Sequence, residues 1–249
     1  MSDNYLKNGT SSATFNMSID AIKSIKAPVL SPAFLWEFIL DGRTPVRAMT
    51  DVFMKKLMPA LEGDGTIIEL GAGGDYYKNF SSDGQQYVTS NLFPGSDMIL
   101  DMTRLELQDN STDALISVFA LEHLFDFEKV FAEQYRVLKP GGRLLLVVPF
   151  MYYYHAAPDD YFRFSASSLD KLLAPYTILT RQPLGGRWLL FAEMLHEKLI
   201  MGSTRHFISR FALRLLALPF LAFALKKHDQ QYATAFTYLC EKKGVHDAG

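Results

Sequence analysis

Residues 150–165 read Phe-Met-Tyr-Tyr-Tyr-His-Ala-Ala-Pro-Asp-Asp-Tyr-Phe-Arg-Phe-Ser. This stretch has neither the 3.6-residue period of a helix nor the alternation of a strand. It gathers an imidazole, two carboxylates and a guanidinium among aromatic rings, a set suited to moving a proton and holding an anion. The imidazole of His155 titrates near neutrality and is the first candidate for a general base, with Asp160 second. Arg163 offers a planar fork that matches a phosphate or carboxylate, and Tyr161 stands beside it as a second group to hold an acceptor. The same residues could form an ordered loop in which Arg163 pairs with Asp159 or Asp160 and the rings fill space. Because loops carry function more often than cores do, the substrate role is the reading adopted.

A second constellation lies upstream. Ile67 to Leu70 is a short apolar run that reads as a buried strand, with Glu69 just before a turn, Gly71-Ala72-Gly73-Gly74. Glycine there lets the backbone approach a ligand closely. In a nucleotide-binding α/β unit such a turn stands at the carboxyl end of the first strand, where the crevice opens. Gln85 to Ser90 reads as the next strand, with Asn91 at its end. Met98-Ile99-Leu100 leads to Asp101 and Met102. Ala114 to Phe119 is apolar enough for a strand buried on both faces, and Glu122 and His123 follow it.

These residues need a scaffold, and the chain is long enough for one large α/β domain with additions: 249 residues, 49% hydrophobic and 21% charged. Residues 17–61 carry helical signals, with Ser31-Pro32 and Thr44-Pro45 as starts. Tyr76 to Phe80 should begin a short helix whose N–H groups face a ligand. Asp126 to Leu138 is amphipathic and ends at Lys139-Pro140-Gly141-Gly142. Arg143 to Pro149 is the fifth strand, and Ser165 caps a helix over Ala166 to Leu173. Tyr176 to Thr180 and Tyr232 to Glu241 should pair antiparallel. Between them lie two helical patterns, Trp188 to Met201 and Phe207 to Lys227, the second kinked at Pro219.

Glu69-x-Gly71-x-Gly73, together with Arg136-Val137-Leu138-Lys139-Pro140-Gly141-Gly142-Arg143-Leu144, resembles the first and late motifs of the class I S-adenosylmethionine-dependent methyltransferases. The segment from His155 to Phe164 resembles one in members associated with bacterial surface-polysaccharide and glycan pathways. The resemblance implies a three-layer Rossmann-like α/β sandwich with a seven-stranded, mostly parallel sheet and an antiparallel last strand. It implies S-adenosylmethionine as cofactor, held by Glu69, Gly71, Ala72, Gly73, Asn91, Asp101 and Met102. Asp101 would meet the adenine amino group and the Met102 N–H a ring nitrogen. Asn91 stands where the family has an acidic residue on the ribose hydroxyls, and a neutral amide binds these more weakly. The acceptor implied is a hydroxyl of a saccharide or glycan-linked molecule; a quinone, lipid or other small molecule, and a non-catalytic binding protein of the same fold, are the alternatives.

His123 is expected to orient its loop or pack beside cofactor and substrate. One glutamate and one histidine, with no second histidine at i+4, are too few ligands for a metal, and none is expected. The net charge of −2 carries no nucleic-acid footprint. The single cysteine, Cys240, fits a reducing compartment, and the polar N-terminus lacks the apolar core of a signal peptide, so a cytoplasmic protein is expected. The organisation read from the chain is a helical cap over 1–60 and a methyltransferase domain over 61–249 with a helical insertion at 186–227. The insertion is apolar around much of its circumference, with Arg205, Arg210, Arg214, Lys226 and Lys227 nearby. It is read as core, as a homodimer contact or as a peripheral contact with the inner face of the membrane.

Overall fold

The computed structural model describes residues 12–156, 159–196, 207–226 and 228–244. Met201, Arg205 and Lys227 of the expected insertion lie outside them. Seven strands form one sheet: β1 Thr66–Leu70, β2 Gln86–Asn91, β3 Met98–Ile99, β4 Thr112–Val118, β5 Leu138–Pro149, β6 Tyr176–Leu184 and β7 Ala235–Lys242. Their order is β3-β2-β1-β4-β5-β7-β6. The pairs from β3 through β5 are parallel, whereas β7 runs antiparallel to both β5 and β6. The strand order reverses beside β1, so the ends of β1 and β4 open a crevice there.

Successive side chains of a strand point to opposite faces, and the two faces carry separate cores. Ile67, Ile116, Leu145, Val147 and Leu239 face one side, and Ile68, Leu115, Leu144, Leu146 and Tyr238 the other. The second face is covered by α4 Phe127–Val137 and α5 Ala166–Leu172. The first is covered by α1 Ile19–Ser24, α2 Pro32–Leu35, α3 Pro45–Leu57, α6 Arg187–Leu195 and α7 Phe207–Ala224. The cap and the inner side of the insertion therefore make up one helical layer, sharing a core with the sheet.

Local chemistry fixes the ends of these helices. Ser31, Thr44 and Ser165 each accept a hydrogen bond from a backbone N–H in the first turn of α2, α3 and α5. Proline opens α2 and α3, where its missing N–H costs nothing. The buried carboxylate of Glu193 on α6 accepts from the Val46 N–H at 2.9 Å, joining the insertion to the start of α3. Arg143 of β5 donates to the Ala60 carbonyl at 2.6 Å and ties the cap to the sheet.

Four elements depart from the expectation, one of them the last strand, which opens at Ala235 and not at Tyr232 because Gln230–Tyr232 forms a 3-10 turn. The helix after the glycine turn does not form: only a single 3-10 turn, Lys78–Phe80, is present. The Tyr76 hydroxyl lies 2.8 Å from Glu37 and 3.0 Å from Asp51, and that of Tyr77 lies 2.9 Å from Asp51. These rings and Phe80 pack edge to face, so side chains anchored on the cap set this segment's path. The helical layer here is supplied by the cap instead. β5 also begins earlier than Arg143, at Leu138, with a register shift opposite β4 and Gly141 at φ +76°. β6 runs on to Leu184 because β7 pairs with it throughout.

Candidate active site

The glycine turn is stapled to the end of β2. The Ala72 N–H donates to the Ser90 carbonyl at 2.8 Å, and the Asn91 amide donates to the Ala72 carbonyl at 2.7 Å. Gly71 sits at φ +74°, and a Cβ there would meet the Ala120 Cβ at 2.8 Å. Both the conformation and the close packing exclude a side chain. At Gly73 a Cβ would meet nothing within 4 Å. Behind the turn Glu69 is buried and accepts from the Tyr87 hydroxyl at 2.7 Å. Burial pushes its carboxyl up to about 7, the Tyr87 hydrogen bond opposes that, and Asp75 adds to it.

In front of the turn lies a cavity of about 330 Å³ lined by Gly71, Asn91, Asp101, Met102, Phe119 and His123, among others. Four of the seven residues expected to hold a cofactor thus share one wall. Glu69 lies just behind the turn, Ala72 is buried within it, and Gly73 borders open space. Asp101 spends one oxygen on its own turn, accepting from the Thr103 N–H at 2.8 Å and the Thr103 hydroxyl at 2.7 Å; its side chain is otherwise exposed.

Phe119 closes β4 with φ +51°, a left-handed conformation that costs a bulky residue about 1–3 kcal/mol. Such strain persists only where the surroundings impose it. The Phe119 N–H donates to the Val147 carbonyl at 2.8 Å, the Arg47 guanidinium lies 4.2 Å from its ring centroid, and the Tyr152 ring stacks on it at 6.2 Å. From Tyr152 the rings continue to His155 at 5.4 Å and from there to His123 at 5.1 Å. The cavity and the 150–165 loop are therefore continuous.

In that loop Asp160 is gripped by both amino groups of Arg163, and its Oδ2 also accepts from the His155 N–H at 2.9 Å. Arg163 also donates to the Tyr153 carbonyl at 2.9 Å. The Arg163 hydrogen bonds hold the Asp160 carboxyl down at about 2, which makes it a poor proton acceptor. His155 is shifted below its ordinary value, chiefly by burial, so its ring is neutral near neutrality. Tyr161 is half exposed and its hydroxyl donates to Asp159 at 3.1 Å. Nδ1 of His123 bonds the Asp159 carbonyl.

Several residues of the site carry no signal in the sequence. Phe119 lies in an apolar run, and only its backbone angle sets it apart. Arg47 lies on a cap helix distant in sequence. The buried Glu122 stands 3.7 Å from His155 Nε2 and 3.9 Å from His123 Nε2. The second imidazole that the sequence count lacked comes from the next crevice loop.

Comparison with known proteins agrees with this architecture. The family model of a methyltransferase domain matches residues 69–146. Over 115 residues the chain is 28% identical to the ubiquinone/menaquinone biosynthesis C-methyltransferase of Desulfotalea psychrophila, a stretch that covers 41% of this chain and 42% of that one. The chain thus spans less than half the length of this curated relative. The geranyl diphosphate C-methyltransferase of Streptomyces coelicolor, solved with Mg2+, geranyl diphosphate and S-adenosyl-L-homocysteine, is similar with a TM-score of 0.56, 14% identity, and coverage of 91% of this chain and 94% of that one. Phosphoethanolamine N-methyltransferase 2 of Haemonchus contortus, solved with S-adenosyl-L-methionine, gives a TM-score of 0.53 at 14% identity, covering 85% of this chain and 56% of that one. At such identity the solved structures show the fold: a Rossmann-like methyltransferase sheet.

Proposed function

We propose that this protein is an S-adenosylmethionine-dependent methyltransferase. The cavity against the Gly71 turn carries the reading, because it collects groups from the ends of β1, β2 and β4 where a cofactor of this fold would lie. Asn91 uses its amide N–H on Ala72, and its oxygen, which accepts a long 3.5 Å bond from the Phe93 N–H, keeps a second lone pair for a ribose hydroxyl. Asp101 and the Met102 N–H suit the adenine edge, and Gly71 to Gly73 give the amino-acid end room. Asp101 and Thr103 already form a local turn, so the pocket is in part preorganised. The cofactor's sulfonium supplies an activated methyl, and the protein's task is alignment.

The acceptor enters beside Phe119, Tyr152 and the Glu122–His123–His155 cluster, which takes up the proton of a hydroxyl acceptor; His155 is its most accessible base. We read the acceptor as a saccharide or glycan-linked hydroxyl, because the loop from His155 to Phe164 is the most distinctive segment of the chain. A second reading, a quinone or other lipid, is favoured by an apolar cavity of about 250 Å³ walled by Phe38, Pro45, Leu213, Leu216 and Phe220. We place the protein in the cytoplasm at the inner face of the membrane, with the outer side of α6 and α7 as the contact. Calorimetry with S-adenosylmethionine tests the cofactor: affinity in the micromolar range supports catalysis, and no binding leaves a binding protein of the same fold. Mass spectrometry of surface glycans and lipids from cells with and without the protein then identifies the acceptor class.

A further inference from the structure

We propose that Glu122, His123 and His155 form a site for a divalent transition-metal ion on the acceptor side of the cavity. The Glu122 side chain has no exposure, and no other residue among those described hydrogen-bonds either of its carboxylate oxygens, which have only the residue's own backbone N–H nearby. A buried carboxylate without partners costs several kcal/mol unless something compensates it. One ligand atom from each of the three residues lies within 4.8 Å of the others. Both imidazoles turn Nε2 toward Glu122 Oε1, at 3.7 Å for His155 and 3.9 Å for His123. These separations are too long for hydrogen bonds. They are close to those of ligands around one ion: metal–ligand bonds of about 2.0–2.2 Å put neighbouring donors about 3–3.5 Å apart. A contraction of a few tenths of an ångström brings each imidazole into that range of Glu122, and the two imidazoles then close on each other from within 4.8 Å.

The other ring nitrogens are already engaged. His123 Nδ1 bonds the Asp159 carbonyl, and His155 Nδ1 lies 3.3 Å from the Tyr153 carbonyl and 3.5 Å from Asp160 Oδ2. A proton on each Nδ1 leaves the Nε2 lone pairs free for an ion, as in carboxylate–histidine–metal arrangements. Asp160 and Arg163 then act as positioning residues: the clamp between them fixes the carboxylate that orients His155. Arg47 and Arg163 also act on Glu122, offsetting part of its charge. They moderate the affinity for a cation and suit an anionic acceptor bound beside it. Two imidazoles and one carboxylate select Zn2+ or another first-row ion over Mg2+ or Ca2+.

The role of the ion rests on the methyltransferase reading; its binding does not. With the ion bound, His155 is a ligand and no longer the base it is in the metal-free cluster, and an acceptor hydroxyl on the ion would lose its proton to solvent at a lower pH. The oxygen's electron pair then forms the O–CH3 bond as the C–S bond breaks, and that bond's electron pair stays on sulfur.

The test strips the full chain with a chelator and titrates it with ZnCl2 by calorimetry, with Co2+ absorption as a second readout. One ion per chain is expected, bound at least about a hundred-fold more weakly by His155→Ala and by His123→Ala, given that outer-sphere changes alone cost ten- to a hundred-fold. Glu122→Gln, which retains the volume, should do the same with thermal melting near that of the parent. No binding by the stripped chain, or binding undiminished in the two histidine variants, overturns the site. S-adenosylmethionine titrated into the same samples separates the two readings. Cofactor binding without metal binding overturns the metal site alone. Metal binding without cofactor binding upholds the site and defeats the cofactor reading.

Discussion

Arg163 grips both carboxylate oxygens of Asp160, three residues before it, and the His155 N–H donates to the same carboxylate. Asp160 is thereby an anchor for His155, and its proton chemistry is switched off in the working range. Its carboxyl is depressed from 3.8 to about 2, so its contribution to stability is full above about pH 4 and fades as pH falls through 2. Asp160→Asn should destabilise the fold by about 1–3 kcal/mol at neutral pH. The gap from the parent should close toward pH 2 in thermal melts. A constant gap across that range would show that the pair contributes nothing as an ion pair.

Gly71 and Gly73 should respond differently to substitution. Gly71 combines a left-handed φ with the contact to Ala120, so Gly71→Val should cost folding stability, on the order of 2 kcal/mol or more. Gly73 borders open space, so Gly73→Val should melt close to the parent yet lose cofactor binding. Calorimetry together with melting curves separates the two. Normal cofactor binding by Gly73→Val would remove this turn from the site.

Asp101 reaches the cavity while accepting two hydrogen bonds from Thr103. Asp101→Ala should weaken S-adenosylmethionine by about 1–3 kcal/mol, the usual cost of leaving a polar group without its partner. Thr103→Val should cost less, because it loosens the turn and leaves the carboxylate in place. Equal affinities for the parent and Asp101→Ala would move the adenine edge elsewhere.

The sheet was legible because its strands are short apolar runs ending in turn residues, and the hydrophobic period and glycines mark them independently of tertiary context. Helix starts were legible for the same reason: Ser31, Thr44 and Ser165 cap through their own side chains. What failed was the helix after Gly74, whose residues satisfy themselves through Tyr76 and Tyr77 on Asp51 and Glu37 of the cap, a contact that no local pattern announces. Gly71, Asn91, Asp101 and Met102, which share the wall of one cavity, could be grouped from the sequence because each stands at or shortly after the end of a strand. The Glu122–His155 approach could not be, since it depends on how two loops from different strands fold toward each other. Arg214, one of the basic residues that the sequence sets beside the insertion, is buried and donates to the Gly42 carbonyl at 2.6 Å.

Glu69 makes the stability of this protein sensitive to pH in an unusual window. Its folded pKa of about 7 lies above the ordinary 4.5, because burial outweighs the Tyr87 hydrogen bond. A raised carboxyl favours folding in its protonated form. That contribution is complete below about pH 4.5 and is lost as pH rises through 7. Unfolding free energy should therefore fall across this interval by on the order of 3 kcal/mol, with other groups superimposed. Glu69→Gln mimics the protonated carboxyl and should flatten that part of the curve while keeping a partner for Tyr87. Denaturant titrations at several pH values measure this. An identical slope in Glu69→Gln and the parent would assign the proton to another group.

The outer side of the insertion bears on where the protein works. Leu189, Ala192, Leu221 and Ala224 on α6 and α7 are buried in the helical layer. The opposite side exposes Trp188 (46%), Phe191 (48%), Met194 (58%), Leu216 (77%) and Phe223 (52%). Trp188 contacts the rings of Phe220 and Phe223, so part of this surface is contiguous. Patches of this kind mark interaction surfaces. Among the described residues no helix is long and apolar enough to cross a membrane. Lys226, exposed just past the end of α7, suits anionic headgroups, as does Arg187 at the start of α6, which also pairs with Asp229 at 3.6 Å. The protein should co-sediment with vesicles containing anionic lipid, and less so as salt rises. Trp188→Glu with Leu216→Glu should reduce that partition by about tenfold or more, since each removes buried apolar area and adds repulsion. Melting curves check that the double variant folds. A stable species of twice the 28.1 kDa chain mass that ignores vesicles would assign the surface to a second copy instead. A monomer that ignores vesicles would defeat both readings.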